Sequence, residues 1–116
     1  MAKGDDIQER LLEFAVAIIQ LCGSLPKSES GRHVAGQLLR CGTSPAPNYG
    51  EARGAESKND FIHKLGVVLK ELNESAIWLE MIKRSRMLAP TDVESVSQEC
   101  NELAKIIATS IRTARS

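Results

Sequence analysis

Phe61-Ile62-His63-Lys64-Leu65-Gly66-Val67-Val68-Leu69-Lys70-Glu71-Leu72-Asn73-Glu74-Ser75-Ala76-Ile77-Trp78-Leu79-Glu80-Met81-Ile82 is the stretch that decides the fold. Phe61, Leu65, Val68, Leu72, Ser75, Leu79 and Ile82 alternate spacings of four and three, with Ile62, Leu69 and Ala76 beside them. That is one face of an α-helix, sustained for about six turns. Such a stripe is stable only when other elements bury it. Ser57, with Asp60 three residues later, predicts the start of the helix as an N-cap. Leu88-Ala89-Pro90 predicts its close.

The same period extends to both sides. Toward the N-terminus, Ile7, Leu11, Phe14, Ile18 and Leu21 form one stripe, and Leu12, Ala15, Ile19 and Cys22 widen it into a broad buried face. Asp5 with Gln8 predicts its cap, and Gly23-Ser24-Leu25-Pro26 its end. A second helix is expected from about Ser30, turning Val34, Ala35, Leu38, Leu39 and Cys41 inward. Toward the C-terminus, Thr91 and Glu94 predict a capping box for a helix that buries Val93, Val96, Cys100, Leu103, Ile107 and Ile111. No strand-like alternation intervenes. Four amphipathic helices with short loops give an all-α, antiparallel up-and-down four-helix bundle, one domain over residues 1–116.

One stretch breaks the pattern. Residues 42–54 hold two prolines and three glycines, and each proline removes a backbone donor and crowds the carbonyl four residues back. A plain loop from Leu38 to Arg53 would be long for a bundle of this size. A second helix that kinks around Pro45 and Pro47 and resumes through Ala52 fits better, with the Thr43 and Ser44 hydroxyls meeting groups that the kink frees.

Composition narrows the function. The 116 residues carry 15 Lys and Arg against 15 Asp and Glu, with 42% hydrophobic and 3% aromatic residues. That is a globular balance, without the row of rings on which base-stacking modules rely. Cys22, Cys41 and Cys100 are odd in number and widely spaced, so buried reduced thiols are expected rather than a disulfide framework. Met1-Ala2-Lys3-Gly4-Asp5-Asp6 is acidic where a secretory leader is basic, and the longest apolar run, Phe14–Ile19, is far too short to span a membrane. A cytoplasmic location is expected.

The run Gln37-Leu38-Leu39-Arg40-Cys41-Gly42-Thr43-Ser44, then Asn48-Tyr49-Gly50-Glu51-Ala52, then Glu56 to Leu65 with Ser57-Lys58-Asn59-Asp60-Phe61, resembles one bacterial family. Lys70-Glu71-Leu72-Asn73-Glu74-Ser75 and Trp78-Leu79-Glu80 continue the likeness. The family is that of four-helix bundle proteins encoded in intervening sequences of large-subunit (23S) ribosomal RNA genes, and the likeness extends over roughly residues 7–112. Cys41, Pro45 and Pro47 depart from it. The resemblance implies a ring-shaped homopentamer around a central channel, with no enzymatic activity and no cofactor. It marks Arg40, Gly42, Thr43, Ser44, Asn48, Tyr49, Glu51, Phe61, Glu71, Glu74 and Trp78 as motif residues. A related accessory protein of diversity-generating retroelements shares that assembly and is associated with nucleic acid through basic surface.

The candidate chemistry is sparse. Asp60 and His63 have the carboxylate–histidine spacing of di-metal bundles, but the second such motif is missing, so no metal is expected. The cysteines and histidines form no local nucleophile signature, and the glycines between Gly42 and Gly54 lack the Gly-Lys-Ser/Thr ending of a phosphate loop. No small-molecule substrate suggests itself.

Charge placement says more than its sum. Lys83, Arg84 and Arg86 cluster at the end of the third helix, with Lys70 further up, and Lys105, Arg112 and Arg115 follow Glu102 with no acid after it. Cations near helix C-termini oppose the helix dipole, which is the structural reading. Contact with RNA or DNA phosphates is the functional one, strengthened where three cations per chain repeat to about fifteen around a fivefold ring. The rival role is a protein-binding scaffold or accessory subunit whose grooves receive a partner helix. Ser44, Asn48, Glu71 and Glu74 are expected either to form a buried polar network holding the kink against the third helix, or to lie on a solvated face. Tyr49 and Trp78 are expected to pack or to serve an interface.

Overall fold

The computed structural model describes residues 4–116, so that Met1-Ala2-Lys3, part of the stretch compared with a leader, lies outside the described residues. Five helical segments follow one another: α1 (Asp5–Gly23), α2 (Glu29–Thr43), α3 (Pro45–Arg53), α4 (Lys58–Ser85) and α5 (Pro90–Arg115). α2 and α3 are the two halves of the expected kinked helix. At the join, Ser44 keeps right-handed helical dihedrals of φ −68° and ψ −36°. What fails there is the hydrogen-bond ladder, because Pro45 and Pro47 have no N–H to offer the carbonyls of Cys41 and Thr43. The ladder resumes when the Asn48 N–H reaches the Ser44 carbonyl at 3.2 Å. Pro45 opens α3, a position that its fixed φ suits.

The four rods form an up-and-down bundle measuring 45 × 23 × 22 Å. α1 packs against α2, α3 and α5, and α4 packs against α2, α3 and α5, whereas the backbones of α1 and α4 make no close approach. They occupy diagonal corners. The Arg53 guanidinium lies 2.6 Å from Asp5, which puts the end of α3 beside the start of α1. Since α4 begins five residues after Arg53, α1 and α4 start at the same end and run in the same direction.

The core follows the predicted stripes. Leu11, Ile18, Leu38, Leu65, Leu72, Leu79, Ile82, Leu103 and Ile107 are fully buried. Gly42 lets α2 approach α1 closely: a Cβ there would lie 2.8 Å from both Ile18 Cγ1 and Cγ2. Three expected core residues are outside. Leu12 is 48%, Ile19 52% and Leu39 41% exposed. A corner rod has neighbours on two sides only, and the apolar stripe of α1 is wider than that contact.

The caps divide in the same way. Ser57 Oγ accepts the Asp60 N–H at 3.1 Å, as predicted, and Ser28 does the same for Gly31, one residue before α2 begins at Glu29. Asp5 does not cap α1; Gly4 precedes the helix at φ 96° and Asp5 is its first residue. Gln8 instead donates Nε2 to the Ala46 carbonyl at 2.9 Å, clamping α1 to α3. The Thr91–Glu94 capping box is absent, since α5 starts at Pro90 behind Ala89 without a side-chain cap. α4 ends at Ser85, ahead of Leu88-Ala89-Pro90, where Arg86 turns left-handed at φ 59°. Among the described residues no helix is long and apolar enough to cross a membrane.

Candidate functional site

The seven candidate phosphate-binding cations do not form one patch. α4 and α5 run antiparallel, with Cys100 Sγ 3.2 Å from the Leu72 carbonyl and Lys83 Nζ 3.4 Å from Glu94. Their C-termini therefore sit at opposite ends of the 45 Å rod. At the α4 end, Lys83 lies between Glu80 at 3.8 Å and Glu94 at 3.4 Å. Arg84 Nε donates to Glu80 at 2.9 Å, a bond that holds the Glu80 carboxyl below its ordinary range. Local acids thus offset these two cations, and Arg86 stands exposed just beyond them.

The α5 end differs. Lys105, Arg112 and Arg115 are exposed, and none has an acidic partner within 4 Å among the described residues. Lys105 and Arg112 are seven residues apart, hence on one face, with Arg115 in the next turn. The acids of the preceding turns are engaged elsewhere: Arg10 of α1 reaches Glu99 at 2.7 Å and Glu102 at 3.4 Å. Arg112 also donates to Thr109 Oγ1 at 3.2 Å. Lys70 is exposed partway along α4, separate from both ends.

A polar cluster joins α2 to α4. Arg40 Nη2 donates to Glu74 Oε2 at 2.6 Å, and Arg40 Nη1 lies 3.5 Å from Glu71 Oε2. Trp78 Nε1 donates to the same Glu74 oxygen at 3.3 Å, and the His33 ring meets the Trp78 ring edge-on at 5.9 Å. The expected single network is therefore two. Ser44 and Asn48 bond to each other, Nδ2 to Oγ at 2.8 Å, inside the kink, while Glu71 and Glu74 turn to Arg40. Glu71 Oε2 is buried without a hydrogen bond. The Thr43 hydroxyl bonds back to the Leu39 carbonyl at 2.6 Å. Arg40 is a motif residue by the family resemblance, and its bridge to Glu71 and Glu74 is a tertiary contact. The one local hint was the Glu71–Glu74 spacing, which sets two acids on neighbouring turns of one helix.

The remaining motif residues serve the bundle. Tyr49 is buried, which pushes its hydroxyl above the ordinary value. Glu51 is exposed, and Phe61 is half-buried on a cavity of about 620 Å³ that it shares with Ile7, Tyr49, Arg53 and Thr113. Asp60 pairs with Lys64 at 3.8 Å, and His63 is exposed. No three metal-ligating side chains converge among the described residues. Cys22, Cys41 and Cys100 are buried, and burial raises Cys22 to about 11 and Cys100 to about 12. All three are thiols rather than thiolates at neutral pH.

The model of the family described as "23S rRNA-intervening sequence protein" matches residues 5–109. The chain is also similar to a crystal structure from Bacteroides thetaiotaomicron VPI-5482, a protein with unknown function from the S23 ribosomal protein family. The two are 36% identical, the match covers 90% of this chain and 97% of that one, and the TM-score is 0.85. No curated protein matches the chain.

Proposed function

The chain belongs to the 23S rRNA-intervening sequence protein family, and on that premise we propose that it is a non-catalytic, cytoplasmic, homopentameric bundle that binds RNA or DNA through the C-terminal part of α5. The observation that carries the nucleic-acid reading is the state of Lys105, Arg112 and Arg115. They stand exposed beyond the last acid of the chain, while Arg10 occupies Glu99 and Glu102 just upstream. The cations of the α4 end contribute less, since Glu80 and Glu94 already screen Lys83 and Arg84. In a neutral chain of 15 basic and 15 acidic residues, the C-terminal part of α5 itself carries three cations and no acid.

Three cations per chain bind phosphate weakly. Five chains with the same ends aligned place about fifteen on one rim, where their fields add. The membership and the unpartnered apolar faces described below support such a ring.

The reading is tested by filter retention of labelled RNA and DNA at low salt, comparing the protein with Arg112→Glu/Arg115→Glu and with Lys83→Ala. The proposal expects retention that falls as salt rises, is lost in the charge-reversed variant and survives in Lys83→Ala. Absent or salt-insensitive retention contradicts it. If a protein instead co-purifies after nuclease treatment, the scaffold role takes its place.

A further inference from the structure

Among the described residues two runs of exposed apolar side chains remain, apart from the single Leu39 of α2, and they lie on the two diagonal helices. On α1, Leu12, Val16 and Ile19 are 48%, 52% and 52% exposed and follow one another at spacings of four and three. On α4, Ile77 and Met81 are 58% and 44% exposed at a spacing of four. These spacings place the members of each run on a single helix face. Contiguous apolar faces of this kind mark contact sites rather than ordinary surface. Resting on the ring reading above, we infer that the α1 stripe of one copy seats on the Ile77–Met81 face of α4 in the next, each copy using both faces.

Charge decides against the α1 stripe pairing with itself. The α1 stripe is flanked by exposed Glu9 and Glu13, and no basic residue shares that side of the helix. Two α1 stripes brought together would oppose these carboxylates. The α4 face has exposed Lys70 two turns before Ile77, without an acidic partner within 4 Å among the described residues. Of the two apolar faces, only that of α4 offers Glu9 and Glu13 an opposite charge.

Direction and position complete the argument. α1 and α4 stand at diagonal corners, so a copy receives one neighbour on each side and its two contacts do not compete for space. This is a heterologous interface, which closes into a ring where the rotation between copies returns to the first. Because both helices run the same way within a copy, a parallel α1–α4 contact sets neighbours side by side and pointing in the same direction. Every α5 C-terminus then falls on one rim. The same geometry that closes the ring gathers Lys105, Arg112 and Arg115 of all copies together.

The test is light scattering on Val16→Asp and Ile77→Asp, with circular dichroism to verify folding; both positions are exposed, so the fold is expected to survive. Each variant alone is expected to run as a 12.7 kDa monomer, while the unaltered chain runs as the ring. An equimolar mixture of the two is expected to give a dimer and nothing larger. The intact α1 of Ile77→Asp then seats on the intact α4 of Val16→Asp, and the two damaged faces point outward. If either substitution unfolds the chain, Leu12→Ser/Ile19→Ser and Met81→Ser replace it. Two variants that keep the oligomeric mass of the unaltered chain overturn this interface and leave the ring standing. Dissociation by only one of them shows a self-paired face and also overturns it. An unaltered chain that is monomeric overturns the ring itself.

Discussion

Arg40 Nη1 of α2 lies 3.5 Å from Glu71 Oε2 of α4, a buried oxygen that no hydrogen bond reaches. Arg40 also bonds Glu74 at 2.6 Å, so one guanidinium serves two carboxylates on successive turns. Its own side chain is 55% exposed, whereas that of Glu71 is 13% exposed. Water therefore solvates the cation while the anion depends on it. Removing the cation exposes that dependence.

Arg40→Ala is expected to cost about 1–2 kcal/mol, below the 3–5 typical of a fully buried broken pair because half of this one is wet. Glu71→Gln removes the charge that needs solvation and is expected to stay within about 0.5 kcal/mol of the parent. The double variant should lose less than Arg40→Ala alone. Urea melts of the four proteins measure this, and additive losses would show that Glu71 does not depend on Arg40.

Two glycines should respond in opposite directions. Gly42→Ala sets a methyl 2.8 Å from two Ile18 carbons and is expected to destabilise by about 1–3 kcal/mol through overpacking. Gly36→Ala adds a methyl with nothing within 4 Å on an exposed helix face and should stabilise by about 0.5–1 kcal/mol. Thermal melts separate the signs directly.

The caps make a similar contrast. Ser57→Ala deletes the bond to the Asp60 N–H, for an expected loss of about 1 kcal/mol. Thr91→Ala removes a side chain that caps nothing and should change stability by less than about 0.5 kcal/mol. Arg86→Gly relieves a left-handed residue at φ 59°, with an expected gain of about 1 kcal/mol.

These contrasts show where the chain could and could not be read. The four-three repeat from Phe61 to Ile82 locates α4 because helical period is a local property. Even polar Ser75 falls on its stripe; it is fully buried and donates to the Glu71 carbonyl at 2.8 Å. Pro45 and Pro47 place the kink for the same local reason. The exposure of Leu12, Ile19 and Leu39 is not local: the width of a stripe gives the apolar area, and the number of neighbouring rods decides how much is covered. The separation of Lys83 from Lys105 and Arg112 likewise follows from antiparallel packing. Two helix C-termini that read alike in sequence lie at opposite ends in space. Arg40 and Glu74 are 34 residues apart, so no spacing rule joins them. Thr91 and Glu94 match a capping box in type, yet the helix starts at Pro90, two residues too early for Thr91 to cap it.

Alkaline pH should weaken the fold through the core thiols. Burial raises Cys22 to about 11 and Cys100 to about 12, against 9.0 for the free group. Between those values the unfolded chain releases protons that the native chain keeps. This contribution to stability is whole below about pH 9 and is lost as pH rises through 11 and 12. Urea midpoints should therefore fall from pH 9 to pH 11, less steeply in Cys100→Ala. A thiol reagent at pH 8 should react with the protein only after denaturant is added.

The measurement that tests the central claim most directly is the salt dependence of single-stranded RNA binding, by fluorescence anisotropy, for the unaltered chain and for Val16→Asp. A chain acting alone with three cations gives a slope of log affinity against log salt of about −2 at most. A ring that gathers the α5 ends of five chains on one rim exceeds it. The account predicts a slope clearly steeper than −2 for the unaltered protein and a return to about −2 or less, with weaker binding, in Val16→Asp. Equal slopes for the two proteins, or binding that ignores salt, would contradict it.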